Sequence, residues 1–172
     1  MCPTQAPHLT VAQARWFTRW RSLLAIAVVA LPATAALPAS AFDALFGAWS
    51  GSGQIRYHDG SAEPVRCTAY YTGGGDRLRL AIRCRSTSNA IEIRGQLTAR
   101  GDTIAGTWEE RTFNAAGQAS GRVAANRITL SVTGGGFSGS MSVSSSGGQQ
   151  KVVISTEGIP MKNVTITMLK SG

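Results

Sequence analysis

The stretch VRCTAYYTGGGDRLRLAIRCR, from Val65 to Arg85, predicts two β-strands joined by a glycine turn. In its second half apolar residues alternate with arginines, which is typical of a strand with one buried face. If Gly75 and Asp76 form a two-residue turn with glycine first, the register of the hairpin follows. The facing pairs in this register are Tyr71–Leu80, Ala69–Ile82 and Cys67–Cys84. The turn, the alternation and a disulfide between the two cysteines therefore agree on one register.

The N-terminal region has the organisation of a secretory signal peptide. Arginines precede a short apolar run at 23–37, and the small-residue motif Ala39-Ser40-Ala41 follows it. The run is shorter than the ~20 apolar residues that a membrane-spanning helix needs. We therefore expect a signal-peptide helix within residues 1–41, cleavage after Ala41, and a periplasmic or secreted domain of residues 42–172.

Cysteine usage agrees with export. Removal of the leader takes away Cys2 and leaves Cys67 and Cys84, and an even pair of cysteines in an exported chain favours a disulfide. The remaining chain is rich in glycine and lean in large apolar residues, although its apolar residues alternate regularly. A cross-link that closes a loop would therefore add stability that the core supplies only sparingly.

The rest of the chain consists of short alternating segments separated by turn residues, without a helical period. Segments 113–117 and 144–149 are predicted to be loops. Short connections favour an up-and-down order, and closure of the sheet removes its two exposed edges. The sequence thus predicts an all-β fold: a single antiparallel up-and-down β-barrel of about 8–10 strands. The predicted strands are 49–57, 65–71, 78–85, 91–97, 104–110, 119–123, 128–132, 137–143, 152–154 and 164–168.

One short phrase recurs in three of these strands, with glycine between two large residues on the same face. Glycine inside a strand marks a bend or a close approach of two backbones. It also alternates small with large residues, as the taper of a small barrel requires. The three copies are Ile93-x-Gly95-x-Leu97, Ile104-x-Gly106-x-Trp108 and Phe137-x-Gly139-x-Met141.

Four segments together carry a resemblance that covers most of the chain after the leader. They are Trp49-x-Gly51-x-Gly53-x-Ile55, Arg66-Cys67-x-Ala69-Tyr70-Tyr71, Ile82-Arg83-Cys84 and Gly106-x-Trp108-Glu109-Glu110. In these segments the chain resembles a family of exported bacterial β-barrel proteins that has no known activity. Its overall plan is similar to the calycin-type barrels, the group of lipocalins and fatty-acid-binding proteins. This second likeness rests on architecture and implies, by analogy, a ligand pocket inside the barrel.

The residue inventory argues against catalysis. After the leader, His58 is the single histidine, and it lies in a predicted turn beside Asp59. The chain contains no G-x-S-x-G elbow, no Walker loop and no G-x-G-x-x-G motif. We therefore expect a protein that is not an enzyme and that uses no metal and no cofactor.

Aromatic residues and one carboxylate are the candidates for the interior. Alternation through β-strand 104–110 points Glu110 inward and its neighbour Glu109 outward. We expect Glu110 at the barrel rim, half solvated and paired with an arginine. The alternative is a buried carboxylate with a shifted pKa. The candidate ligand-binding residues of the interior are Trp49, Tyr57, Tyr71, Trp108 and Glu110.

Arginines cluster on the opposite face of the hairpin. The predicted register places Arg66, Arg79, Arg83 and Arg85 together on its outer side. Arginine binds phosphates and carboxylates bidentately, so these residues are a candidate anion-binding surface. The alternative is an ordinary solvated sheet face.

These features predict a binding protein of the cell envelope rather than an enzyme. Its ligand is either a lipid or small amphipathic molecule inside the barrel, or an anionic envelope component on the arginine face. One alternative is an interaction module, such as a protease-inhibitor-like barrel, that presents the loop 112–117. Another is an outer-membrane barrel with its apolar face toward lipid. Export excludes nucleic acid as a partner, and the oligomeric state is left open.

Overall fold

Ten antiparallel strands form a closed barrel in the computed structural model, which describes residues 40–171. Each strand pairs with its neighbours in sequence, and β1 pairs with β10 to close the sheet. The predicted fold class is therefore confirmed, while residues 1–39, with most of the predicted signal peptide, lie outside the described part. The strands are β1 Gly47–Tyr57, β2 Ala62–Gly74, β3 Arg77–Ser86, β4 Ala90–Arg100, β5 Thr103–Glu110, β6 Ala115–Ala124, β7 Arg127–Gly134, β8 Phe137–Ser146, β9 Gln149–Glu157 and β10 Met161–Ser171.

The β2–β3 hairpin has the register that the sequence predicts. Gly74 faces Arg77, so Gly75 and Asp76 form the two-residue turn, with Gly75 at a φ of 56°. A positive φ at the first turn position favours glycine there. The predicted disulfide is present between Cys67 and Cys84, whose Cα atoms are 4.1 Å apart. The facing pairs Tyr71–Leu80, Ala69–Ile82 and Cys67–Cys84 are all confirmed.

The apolar face of each strand points into the barrel and the polar face points outward. Buried valine, leucine, isoleucine and aromatic side chains from all parts of the sheet form one core cluster. The outward positions of β2 to β4 carry many arginines, whereas those of β7 and β8 are mostly serine and threonine. This orientation is opposite to that of a lipid-facing barrel, which carries an apolar band on its outer surface.

The inward glycines of the repeated phrase lie where strands approach each other closely. A Cβ atom on Gly106 would lie 2.0 Å from the carbonyl oxygen of Gln96 on the neighbouring strand. A Cβ atom on Gly139 would lie 2.6 Å from the carbonyl oxygen of Ser155. Gly95 is less tightly enclosed, with its nearest neighbours at 3.2 Å. Close backbone approach is therefore the stronger reason for glycine at positions 106 and 139.

Two predicted loops are shorter than the sequence suggested. The predicted loop 113–117 is a turn only at Phe113 and Asn114, because Ala115 already pairs with Glu110 and starts β6. The segment 144–149 reduces to the turn at Gly147 and Gly148, since β8 continues to Ser146 and β9 starts at Gln149. Alanine, serine and glycine give little contrast between the two faces of a strand, so alternation does not reveal pairing there. The 112–117 loop of the interaction-module alternative is thus partly strand.

One end of the barrel is closed by the segment that precedes β1. Phe42 and Leu45 are buried in the core cluster although they belong to a turn. The indole Nε1–H of Trp49 donates a hydrogen bond to the carbonyl oxygen of Leu45 at 2.6 Å. This bond ties the turn to β1, so the end of the barrel at which β1 begins is capped.

Candidate ligand-binding cavity

A cavity of about 580 Å³ occupies the interior of the barrel. Apolar side chains from all ten strands line it, and its volume lies within the range of about 300–1,000 Å³ found for ligand pockets. Barrels of about eight strands are just wide enough for side chains to fill. A sheet of ten strands encloses a wider space. This chain lines that space mainly with medium-sized apolar side chains and with inward-facing glycines.

The cavity extends to the end of the barrel opposite the cap. Residues of four loops at that end belong to its lining: Asn89, Phe113, Gly135 and the pair Ile159–Pro160. The side chain of Phe113 is 66% exposed at this rim. At the capped end the lining includes Leu45. The loop end is therefore the mouth of the cavity.

Four of the five predicted interior residues line this cavity. Tyr57, Tyr71, Trp108 and Glu110 contribute to its wall. Trp49 does not: it is 2% exposed and packs at the capped end, where its indole binds the turn. The structure thus brings four of the predicted residues together around one cavity and places Trp49 outside that cavity, at the capped end.

Tyr71 lies near the capped end of the cavity, because it faces Gly47 at the start of β1. Its side chain is only 5% exposed, yet its hydroxyl makes no hydrogen bond to any group within residues 40–171. Burial raises the pKa of Tyr71 to about 12. The phenol is therefore a neutral donor and acceptor in an apolar wall.

Glu110 lies at the mouth but is not half solvated as predicted: it is 8% exposed, and its partners also differ from those predicted. Its carboxylate accepts hydrogen bonds from the backbone N–H groups of Glu92 at 2.9 Å, Thr112 at 3.0 Å and Phe113 at 2.6 Å. Burial alone would raise the pKa of Glu110, but these hydrogen bonds hold it below its ordinary value. The expected arginine partner is wrong for the described residues, where the ion pairs do not include Glu110. The carboxylate instead ties the β5–β6 turn to the start of β4.

A second carboxylate at the mouth was not predicted. Glu63 accepts hydrogen bonds from the Tyr57 hydroxyl, from Ser86 Oγ at 2.9 Å and from the Ser88 backbone N–H at 3.1 Å. Asn89 Nδ2 donates to the Tyr57 oxygen at 2.8 Å and to Glu63 at 3.3 Å. The Tyr57 hydroxyl is the main cause that lowers the pKa of Glu63 to about 2. We call these residues (Tyr57, Glu63, Ser86, Ser88 and Asn89) the mouth cluster.

The sequence did contain a signal for the mouth cluster. Glu63 shares its strand face with Val65 and Cys67, so alternation extended by two residues points it inward. The predicted strand begins at Val65 and so does not include Glu63, whereas β2 begins at Ala62. Asn89 lies in the β3–β4 turn, where alternation carries no information about direction.

The predicted arginine surface is on the outside of the β2–β3 hairpin. Arg66 directly faces Arg85, and like charges in facing positions are unfavourable unless an anion lies between them. Arg83 lies 3.6 Å from Glu92, which also pairs with other arginines of the rim. Within residues 40–171, the ion pairs do not include Arg66, Arg79 or Arg85.

Other kinds of site find little support in the described chain. Between residues 40 and 171, His, Cys, Asp and Glu side chains do not gather in groups of three that could hold a metal ion. His58 lies exposed in the β1–β2 turn. The described residues also form no helix of the length and apolarity needed to cross a membrane.

A closed ten-stranded antiparallel barrel around an apolar cavity defines the class of this protein at the level of fold. Among solved structures it is similar to Rv2717c from M. tuberculosis, with a TM-score of 0.65 and 14% sequence identity. The alignment covers 78% of this chain and 99% of that one, and at this identity it shows the fold alone. Neither a family model nor a curated protein matches the sequence. The likeness to exported bacterial barrels and to calycins therefore stays a prediction.

Proposed function

We propose that this protein is an exported, non-catalytic binding protein of the cell envelope that holds a hydrophobic or amphipathic ligand inside its barrel. The observation that carries the proposal is the interior cavity of about 580 Å³ with its almost entirely apolar wall. Transfer of apolar surface from water into such a space contributes roughly 25 cal/mol per Å². A lipid-like molecule is the kind of ligand that gains most from it.

Two features support a location in the envelope. The Cys67–Cys84 disulfide fits an oxidising compartment, because cytosolic thiols are kept reduced. The leader-like sequence before residue 42 fits export to such a compartment. The proposed location is accordingly the periplasm or the secreted fraction.

The arrangement of the candidate catalytic groups supports binding rather than catalysis. Glu110 is engaged by three backbone N–H groups, so its position serves the turn that it caps. His58 belongs to the β1–β2 turn and is not part of the cavity wall. A hydrolase that used His58 and Glu110 as its catalytic pair would need both side chains to meet at a substrate.

A cavity-filling variant tests the proposed function. Ala119 lines the cavity, whereas Ala116 lies on the outer face of the same strand. We expect Ala119→Phe to abolish binding of the neutral fluorescent dye N-phenylnaphthylamine and Ala116→Phe to leave it unchanged. Dye that binds neither the parent protein nor any variant, or that binds Ala119→Phe normally, would overturn the proposal.

A second candidate function is binding of an anionic envelope surface by the outer arginines. The facing pair Arg66 and Arg85 favours it, since an anion between them would relieve their repulsion. The test is co-sedimentation with anionic phospholipid vesicles. We expect Arg66→Gln with Arg85→Gln to weaken binding more than the charge-matched pair Arg127→Gln with Lys151→Gln, which lies on the opposite wall. Equal effects of the two pairs would mean nonspecific attraction.

A further inference from the structure

The cavity wall is unbalanced in charge. Its described lining contains neither lysine nor arginine, and Glu110 is its one carboxylate. The arginines of the described residues are all exposed, for example Arg79 and Arg94 on the outer face. Within residues 40–171, a ligand inside the barrel therefore meets no cation that could neutralise an anionic head group.

The mouth adds negative charge. Glu63 of the mouth cluster accepts four hydrogen bonds and Glu110 accepts three, and acceptor bonds of this kind favour the ionised carboxylate. The pKa of each of the two groups lies below its ordinary value. An anionic head group at the mouth would face these two carboxylates, whereas the rim arginine Arg111 is exposed and paired with Glu92. Like charges brought together disfavour binding.

The capped end offers one polar contact. The Tyr71 side chain lines the cavity and is 5% exposed, and its hydroxyl has no hydrogen-bond partner within residues 40–171. A hydroxyl in an apolar wall without a protein partner is unfavourable, and a ligand oxygen beside it would supply the missing bond. The partner must itself be uncharged, because the surrounding wall is formed by side chains such as Leu78 and Leu97.

We propose that the cavity selects a neutral single-chain lipid whose hydroxyl or carbonyl oxygen is hydrogen-bonded to Tyr71, and that it discriminates against fatty-acid carboxylates. This selectivity rests on the proposed function, since it assumes that the cavity is the binding site. It differs from a cavity that holds a carboxylate through an internal arginine, which this wall does not provide.

The test compares three ligands of equal chain length as competitors of N-phenylnaphthylamine near neutral pH: tetradecanol, methyl tetradecanoate and tetradecanoate. We expect the alcohol and the ester to displace the dye at least about tenfold more effectively than the carboxylate. Tyr71→Phe should lower the affinity for tetradecanol by about three- to tenfold, the range expected for the loss of one neutral hydrogen bond. The matched control is Tyr70→Phe, the same change on the outer face of β2, and it should leave the affinity for all three ligands unchanged.

The outcomes separate the two proposals. If tetradecanoate competes as well as tetradecanol, the cavity binds lipids but the proposed selectivity is wrong. If Tyr71→Phe binds tetradecanol normally while it retains dye binding, Tyr71 is not the polar contact. If the dye does not bind the parent protein, the proposed function itself fails.

Discussion

At the scale of single residues, some polar groups of this barrel have many hydrogen-bond partners within residues 40–171 and others have none. Glu63 and Glu110 are surrounded by donors, whereas the side-chain amide of Gln150 is fully buried, and neither its nitrogen nor its oxygen has a hydrogen-bond partner among the described residues. Tyr71 lies between these extremes, with its hydroxyl open to the cavity. Satisfied groups stabilise the loops at the mouth, and unsatisfied ones lower the stability of the fold.

Replacement of Gln150 by methionine should stabilise the protein. The side chains are similar in length, and methionine has no hydrogen bonds to lose. We expect Gln150→Met to raise the free energy of unfolding by about 1–3 kcal/mol in urea titrations. Gln149→Met, on the exposed face of the same strand, serves as the control and should change it little. Destabilisation by Gln150→Met would mean that the amide is hydrogen-bonded in solution, for example to water.

Acid should weaken the mouth cluster in a defined pH window. The pKa of Glu63 is about 2 in the folded protein against an ordinary value of 4.5. The folded state therefore binds this proton less readily than the unfolded chain, and the stability that Glu63 contributes is present above the unfolded pKa and lost as the pH falls toward the folded one. Because Tyr57 is the main cause, Tyr57→Phe should raise the pKa of Glu63 in an NMR titration. Titration of Glu63 near 4.5 in the unaltered protein would contradict this account.

At the scale of elements, the β2–β3 hairpin shows how much the sequence could predict. Its turn, alternation and cysteines agree, so its register is correct. The strand ends at Ala115 and Ser146 were not predictable, because small residues hide the difference between the faces. Among the site residues, alternation found Tyr71 and Glu110, and it could have found Glu63. The partners of Glu110 could not be found, since backbone N–H groups of a turn leave no mark in the sequence.

The disulfide should contribute substantially to the stability of the hairpin and of the whole barrel. It joins residues 17 positions apart and so restricts the unfolded chain. We expect Cys67→Ala with Cys84→Ala to lower the free energy of unfolding by ~3 kcal/mol. The control is the unaltered protein in reducing buffer, whose free energy of unfolding should also fall. Equal denaturation midpoints in all three samples would contradict the prediction.

The close approach of β4 and β5 makes a side chain at Gly106 costly. A methyl group there would collide with the backbone of Gln96, which cannot move without loss of strand pairing. We expect Gly106→Ala to destabilise the protein by about 2 kcal/mol or more. Gly74→Ala is a matched control, because a Cβ at Gly74 meets open space. If the two variants unfold at the same denaturant concentration, close backbone approach is not the reason for glycine at 106.

At the scale of the whole molecule, the barrel has three distinct regions. One end is capped by Phe42 and Leu45, the other opens between loops with two ionised carboxylates, and the outer wall carries most of its arginines on the side of β2 to β4. The cavity lies between the two ends and is shielded from the outer charges by the sheet. This separation would allow the proposed neutral ligand inside and the proposed anionic surface outside to be bound independently.

Mass spectrometry of residues 42–172 purified from the periplasm tests the central claim most directly, first under native conditions and then after solvent extraction. We expect a stoichiometric adduct that extraction releases as a lipid-like molecule without a carboxylate, and we expect the Ala119→Phe variant to lack it. A protein that is ligand-free in every preparation, and that takes up none of the three tetradecyl ligands afterwards, would contradict it.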